Sequence, residues 1–142
     1  MAATRALRNY RDLQVWQEAI KLVEAVYRIS RAMPQDERFG LCAQMQRAAV
    51  SVPANIAEGY GRDHRKEYLH HLSMARASLM ELETHLIIAQ KLGFVERGVL
   101  LSPWEQSQVV GRLLRALARS LGGRSGLPKP QTPNPKPRSQ GR

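Results

Sequence analysis

Apolar residues recur along the chain at steps of three and four, the spacing of one helix face, and nowhere alternate as a strand would require. Leu13, Trp16, Ile20, Val23 and Tyr27 make one such row, and Val15, Ala19, Leu22, Val26 and Ile29 make a second beside it. Together they predict a first helix over about Asp12–Arg31, with Asp12 as its N-cap. Two apolar rows on one helix need cover on more than one side, a weak pointer to self-association. Met33-Pro34-Gln35 then breaks the pattern, because proline cannot continue a helix interior.

Asp36 and Glu37 supply the negative charge that favours a helix start. Leu41, Met45, Ala48, Val52 and Ile56 give the second helix its core face. Pro53 falls inside it and should kink it, and Gly59 and Gly61 predict its end, since glycine tolerates the left-handed conformation of a C-terminal stop. The third helix, over about His64–Leu92, carries the most regular seam: Tyr68, Leu72, Ala75, Leu79, Leu82, Leu86 and Ala89 alternate steps of four and three. Gly93 is its stop. Ser102 as N-cap and Pro103 at the first helical position predict the opening of a fourth helix. Its apolar face is Val110, Leu113, Leu114, Leu117 and Leu121, and Gly122-Gly123 closes it.

Long helices joined by short turns predict an all-α fold, an antiparallel up-and-down four-helix bundle over residues 10–122 with a kinked second helix. Residues 1–9 read as a flexible basic lead. Residues 123–142 hold five prolines and no apolar period, and read as a disordered basic tail of polyproline II character.

Composition agrees with helices: 43% of residues are hydrophobic and only 6% aromatic. Charge adds a functional direction. The formal net charge is +10, and five basic residues of the acid-free tail, Arg124, Lys129, Lys136, Arg138 and Arg142, supply half of it. Polyanions are the natural partners of such a chain. A lone Cys42 excludes an intramolecular disulfide and a cysteine zinc site, and fits a reducing, cytoplasmic compartment. No apolar run approaches the ~20 residues of a membrane span. The amino terminus lacks the apolar core of a secretory signal, and its Arg5, Arg8, Arg11 spacing only faintly resembles a transit peptide.

The candidate chemistry is thin. Glu67-x-x-His70 has the spacing of a di-metal bundle ligand pair, but no second pair exists and both positions flank the buried seam. His70, His71 and His85 have no partner fixed by sequence and read as solvated or edge histidines. Cys42 reads as a small core residue. Gly59-Tyr60-Gly61 follows a helix and is too short for a phosphate loop, and Pro130-Gln131-Thr132-Pro133 is a cheap match to a PxxP ligand. No catalysis, metal or cofactor is expected.

The basic surface is the better lead. Arg112, Arg115 and Arg119 lie at i, i+3, i+7, nearly opposite the apolar face of the fourth helix, and no acid follows Glu105. The stripe runs into Arg124, Lys129, Lys136 and Arg138 of the tail, and Arg62, Arg65 and Lys66 cluster at the start of the third helix. Without interleaved exposed aromatics, base stacking is not indicated, so contacts to phosphates are expected. A polar row, Arg47, Ser51, Asn55 and Glu58, shares one face of the second helix, and Ser78 and Glu81 on the third are possible partners. A partly buried network there would fix helix register within or between subunits.

Tyr10-Arg11-Asp12-Leu13-Gln14-Val15-Trp16, Arg47-Ala48-Ala49, Ser51-Val52-Pro53-Ala54-Asn55-Ile56-Ala57-Glu58-Gly59 and Ser78-Leu79 with Glu81-Leu82-Glu83 closely resemble the 23S rRNA intervening-sequence (S23) protein family over roughly residues 10–121. The resemblance implies a helical bundle assembling into a ring, typically a homopentamer, without known catalysis. Some relatives are encoded in inserts of ribosomal RNA genes. A distant branch resembles the accessory proteins of diversity-generating retroelements, which bind a reverse transcriptase and nucleic acid. Two functions are therefore expected: a non-enzymatic oligomer binding nucleic acid, RNA more than DNA, or a ring-shaped scaffold for a protein partner such as a reverse transcriptase or ribonucleoprotein.

Overall fold

A computed structural model of the protein describes residues 8–122. Among these residues all regular structure is helical: α1 (Gln14–Ser30), α2 (Leu41–Tyr60), α3 (Arg65–Lys91) and α4 (Arg97–Gly122), with short 3-10 turns at Tyr10–Asp12 and Gln35–Glu37. Each helix packs on its chain neighbours and α4 closes on α1, leaving α1/α3 and α2/α4 as the diagonals. That is the up-and-down bundle. The tail beyond residue 122 and the lead before residue 8 lie outside the described residues.

The core runs along the bundle axis. From α1 it takes the second apolar row, with Ala19, Leu22 and Val26 fully buried, while Tyr27 at the end of the first row stays exposed. α1 lies between α2 and α4, which cover its second row and Leu13, Trp16 and Val23 of its first. Ile20 and Tyr27 of the first row stay outside the core cluster. Other exposed apolar side chains include Val50 on α2, Met80, Ile87 and Ile88 on α3, and Val99 and Leu101 on α4.

Several boundaries differ from expectation for local reasons. α1 begins two residues after Asp12, whose carboxylate accepts from the Arg8 N–H at 2.9 Å, while Asn9 caps the 3-10 turn by accepting from the Arg11 N–H. Glu37 does serve the start of α2, its Oε1 accepting from the Leu41 N–H at 3.2 Å. Pro53 lies buried inside α2, and the helix runs on through it to Tyr60. Its missing N–H removes the intrahelical donor for the Ala49 carbonyl. Gly61 is right-handed, with φ −81, so no left-handed stop ends α2. Gly93 does supply one, with φ +74 between α3 and α4. α4 starts at Arg97 rather than at Ser102-Pro103; Pro103 sits inside it, buried against the core together with Leu100. That packing carries a proline beyond the first turn, where sequence rules place a helix start.

Candidate nucleic-acid interface

α3 and α4 run antiparallel, so the start of α3 meets the end of α4. Arg65 and Lys66 stand on the first turn of α3, and Arg76 stands three helical turns further along the same face. Across the seam, Arg115 and Arg119 project from α4 four residues apart. These five cations line one groove of about 610 Å³, floored by Leu69, Leu72, Leu114 and Ala118. Among the described residues none of the five forms an ion pair, and no carboxylate lines the groove. Asp63 and Glu67 are exposed nearby but outside it.

The placement raises the local potential. Arg65 and Lys66 sit at a helix N-terminus, where the backbone dipole is already positive and cations are the unfavourable choice for stability. Arg115 bends back along α4, its Nη1 lying 3.7 Å from where a Cβ on Gly111 would be. Exposed cations over an apolar floor suit phosphates, which need charge and donors rather than a shaped pocket. Arg112 is exposed on α4 outside the groove lining, and Arg62 is exposed in the α2–α3 turn. Arg124, Lys129, Lys136 and Arg138 lie outside the described residues.

The polar row of α2 takes part in a hydrogen-bonded chain to α3. Ser51 and Ser78 bring their hydroxyl oxygens to 2.8 Å. Asn55 Nδ2 donates to the Ser51 carbonyl and hydroxyl, both at 3.0 Å. Its Oδ1 is left to accept from His71 Nδ1 at 3.2 Å, and Glu58 Oε1 stands 3.6 Å from the same nitrogen. Gly59 makes this possible: a Cβ there would lie 2.8 Å from His71 Cβ and 3.0 Å from Tyr68 Cδ1. It is a close-packing residue of the α2–α3 contact, not a helix stop. Arg47 is exposed outside the chain, and Glu81 is exposed and pairs with His85 Nε2 at 3.2 Å instead.

The family model described as 23S rRNA-intervening sequence protein matches residues 11–116. The chain belongs to that family. A solved structure from Bacteroides thetaiotaomicron, a protein of unknown function from the S23 ribosomal protein family, superposes with a TM-score of 0.69 at 19% identity. The match covers 74% of this chain and 95% of that one, and it shows the fold the two share. Comparison with curated proteins finds no match.

Within this family fold, sequence reasoning missed three side chains. Arg76 belongs to the basic groove, and its eleven-residue step from Arg65 was the available signal. His71 and His85, read as solvated or edge residues, are buried, His71 in the polar chain and His85 with its Nδ1 lacking a partner among the described residues. Glu67 and His70 are exposed. Cys42 is buried, its Sγ donating to the Ser30 carbonyl at 3.8 Å; burial and then the nearby Glu37 charge push its thiol above the ordinary range, which disfavours the thiolate. No described helix is long and apolar enough to cross a membrane.

Proposed function

We propose that the protein is a non-enzymatic, self-associating helical bundle of the cytoplasm that holds nucleic acid, structured RNA above DNA, by phosphate contacts along the α3–α4 groove. The observation that carries this reading is the set of five unpaired cations in one groove without a carboxylate. The ribosomal RNA inserts in the family's description favour RNA. Binding of this kind displaces counterions, so affinity falls steeply with salt. A gel-shift series of ribosomal and random-sequence RNA at rising ionic strength tests it. The expected result is a shift at low salt that disappears as salt rises; no salt-sensitive shift refutes the reading.

A scaffold for a protein partner, a reverse transcriptase or a ribonucleoprotein among them, is the second reading. It is favoured by an apolar groove of about 500 Å³ at the other end of the α3–α4 seam, where Leu86, Ile87, Leu100, Leu101 and Trp104 meet beside exposed Val99. Retention of a partner after nuclease treatment separates this reading from the first. Light scattering at micromolar concentration tests the ring: a pentamer mass supports self-association and a monomer mass removes it.

A further inference from the structure

The geometry points to a second nucleic-acid site, a base-stacking platform for unpaired nucleotides, at the turn joining α1 to α2. It rests on the RNA-binding reading above but uses other residues, other chemistry and the opposite end of the bundle. Phe39 is 88% exposed, more than any other large apolar side chain of the described residues. A ring in water contributes nothing to the core. Nor is it on a loose loop: the Glu37, Arg38 and Gly40 N–H groups donate to the carbonyls of Pro34, Gln35 and Glu37 at 2.9, 3.1 and 3.0 Å. The backbone that carries the ring is therefore already ordered, which lowers the ordering cost of a binding surface.

The Arg38 guanidinium lies 5.4 Å from the Phe39 ring centroid and covers one face. The other face is open. Tyr27, 41% exposed, and Arg31 line the same groove of about 790 Å³, with Gln35 and Gln46. Two aromatic faces for bases, two guanidiniums for phosphates and two amides for base edges are the parts of a single-strand site. No carboxylate lines the groove; that of Glu37 is turned to the Leu41 N–H, and Asp36 stands outside. This charge balance favours a polyanion over a basic protein partner. Phe39 and Tyr27 stand beside Arg31 and Arg38, whereas no aromatic lines the α3–α4 groove. The α3–α4 groove contacts phosphates, whereas a stacking platform selects bases that are unpaired.

The test is a polarisation titration of a labelled single-stranded oligouridine decamer and of a blunt RNA duplex against the full-length protein, Phe39→Ala, Phe39→Trp and the Arg115→Glu/Arg119→Glu double variant. Phe39→Ala is expected to lose at least about fivefold in decamer affinity, one stacked base, while keeping its duplex affinity and salt slope. Phe39→Trp restores decamer binding, and the double variant loses more affinity for the duplex than for the decamer. Decamer binding unaffected by Phe39→Ala, or equal loss on both RNAs, overturns the platform; the groove reading then stands on the double variant alone. A wild type that binds neither RNA overturns both readings. If Phe39→Ala keeps the decamer but loses a co-purifying protein, the surface is a protein-docking face and the platform falls.

Discussion

Ser51 of α2 and Ser78 of α3 meet hydroxyl to hydroxyl at 2.8 Å, and Asn55 and His71 extend the contact along the seam. An apolar seam tolerates sliding, but a chain of paired hydroxyl, amide and imidazole groups is satisfied in one register only.

Asn55→Leu removes the acceptor of the His71 Nδ1–H and the donor to Ser51, leaving partly buried polar groups unpaired. The expected cost is about 1–3 kcal/mol. Urea unfolding measures it, and assembly, followed by light scattering, suffers more than the affinity of folded protein for RNA. A wild-type denaturation midpoint and mass would remove the register role.

Two glycines give opposite outcomes on substitution by alanine. Gly59→Ala drives a methyl against His71 Cβ and the Tyr68 ring and carbonyl, so overpacking destabilises by about 1–3 kcal/mol. Gly98→Ala meets nothing within 4 Å on the exposed first turn of α4 and stabilises by up to about 1 kcal/mol through lost backbone freedom in the unfolded chain. Thermal melts of the two variants should move in opposite directions.

Gly59 and Pro103 show what the sequence could carry and what it could not. Helix count and core followed from periodicity, because burying an apolar row is a local, repeating requirement, as the seam from Leu72 to Ala89 illustrates. Gly59 and Pro103 read as punctuation because punctuation is their commonest use. Only the neighbours that three-dimensional packing brings, His71 against one and the core against the other, reveal them as interior residues. The groove was half legible: Arg65, Lys66, Arg115 and Arg119 clustered by local spacing, but nothing along the chain says that Arg76 faces α4. Phe39 was invisible as a surface feature, since a phenylalanine near a helix start ordinarily packs inward.

Between α1 and α4, Glu18 accepts from Gln106 Nε2 at 2.8 Å and pairs with Lys21 at 3.2 Å. The Gln106 hydrogen bond first, and then that from Lys21, hold the Glu18 carboxyl below its ordinary range. A depressed folded value means stability that is present above the unfolded glutamate value, about 4.3, and lost as pH falls through the folded one. Wild type should exceed Glu18→Gln in stability near neutrality, and the difference should shrink on acidification below about pH 4.3. Denaturant titrations at several pH values measure it, and a gap that widens toward acid contradicts the assignment.

Arg76 and Arg115 face one groove from different helices, so phosphate contacts made there draw on both. Each phosphate neutralised contributes about 0.9 to the slope of log affinity against log salt for duplex. Arg76→Ala should therefore weaken RNA binding at low salt and flatten that slope by up to about one unit, without preference among RNA sequences. Arg76 is exposed and unpaired, so the fold is unaffected. Arg28→Ala, which removes the same charge from α1 outside the groove, serves as the control for net charge. Equal slopes for the two variants would mean that overall charge binds the RNA; a deficit confined to Arg76→Ala would locate the contact at the α3–α4 seam.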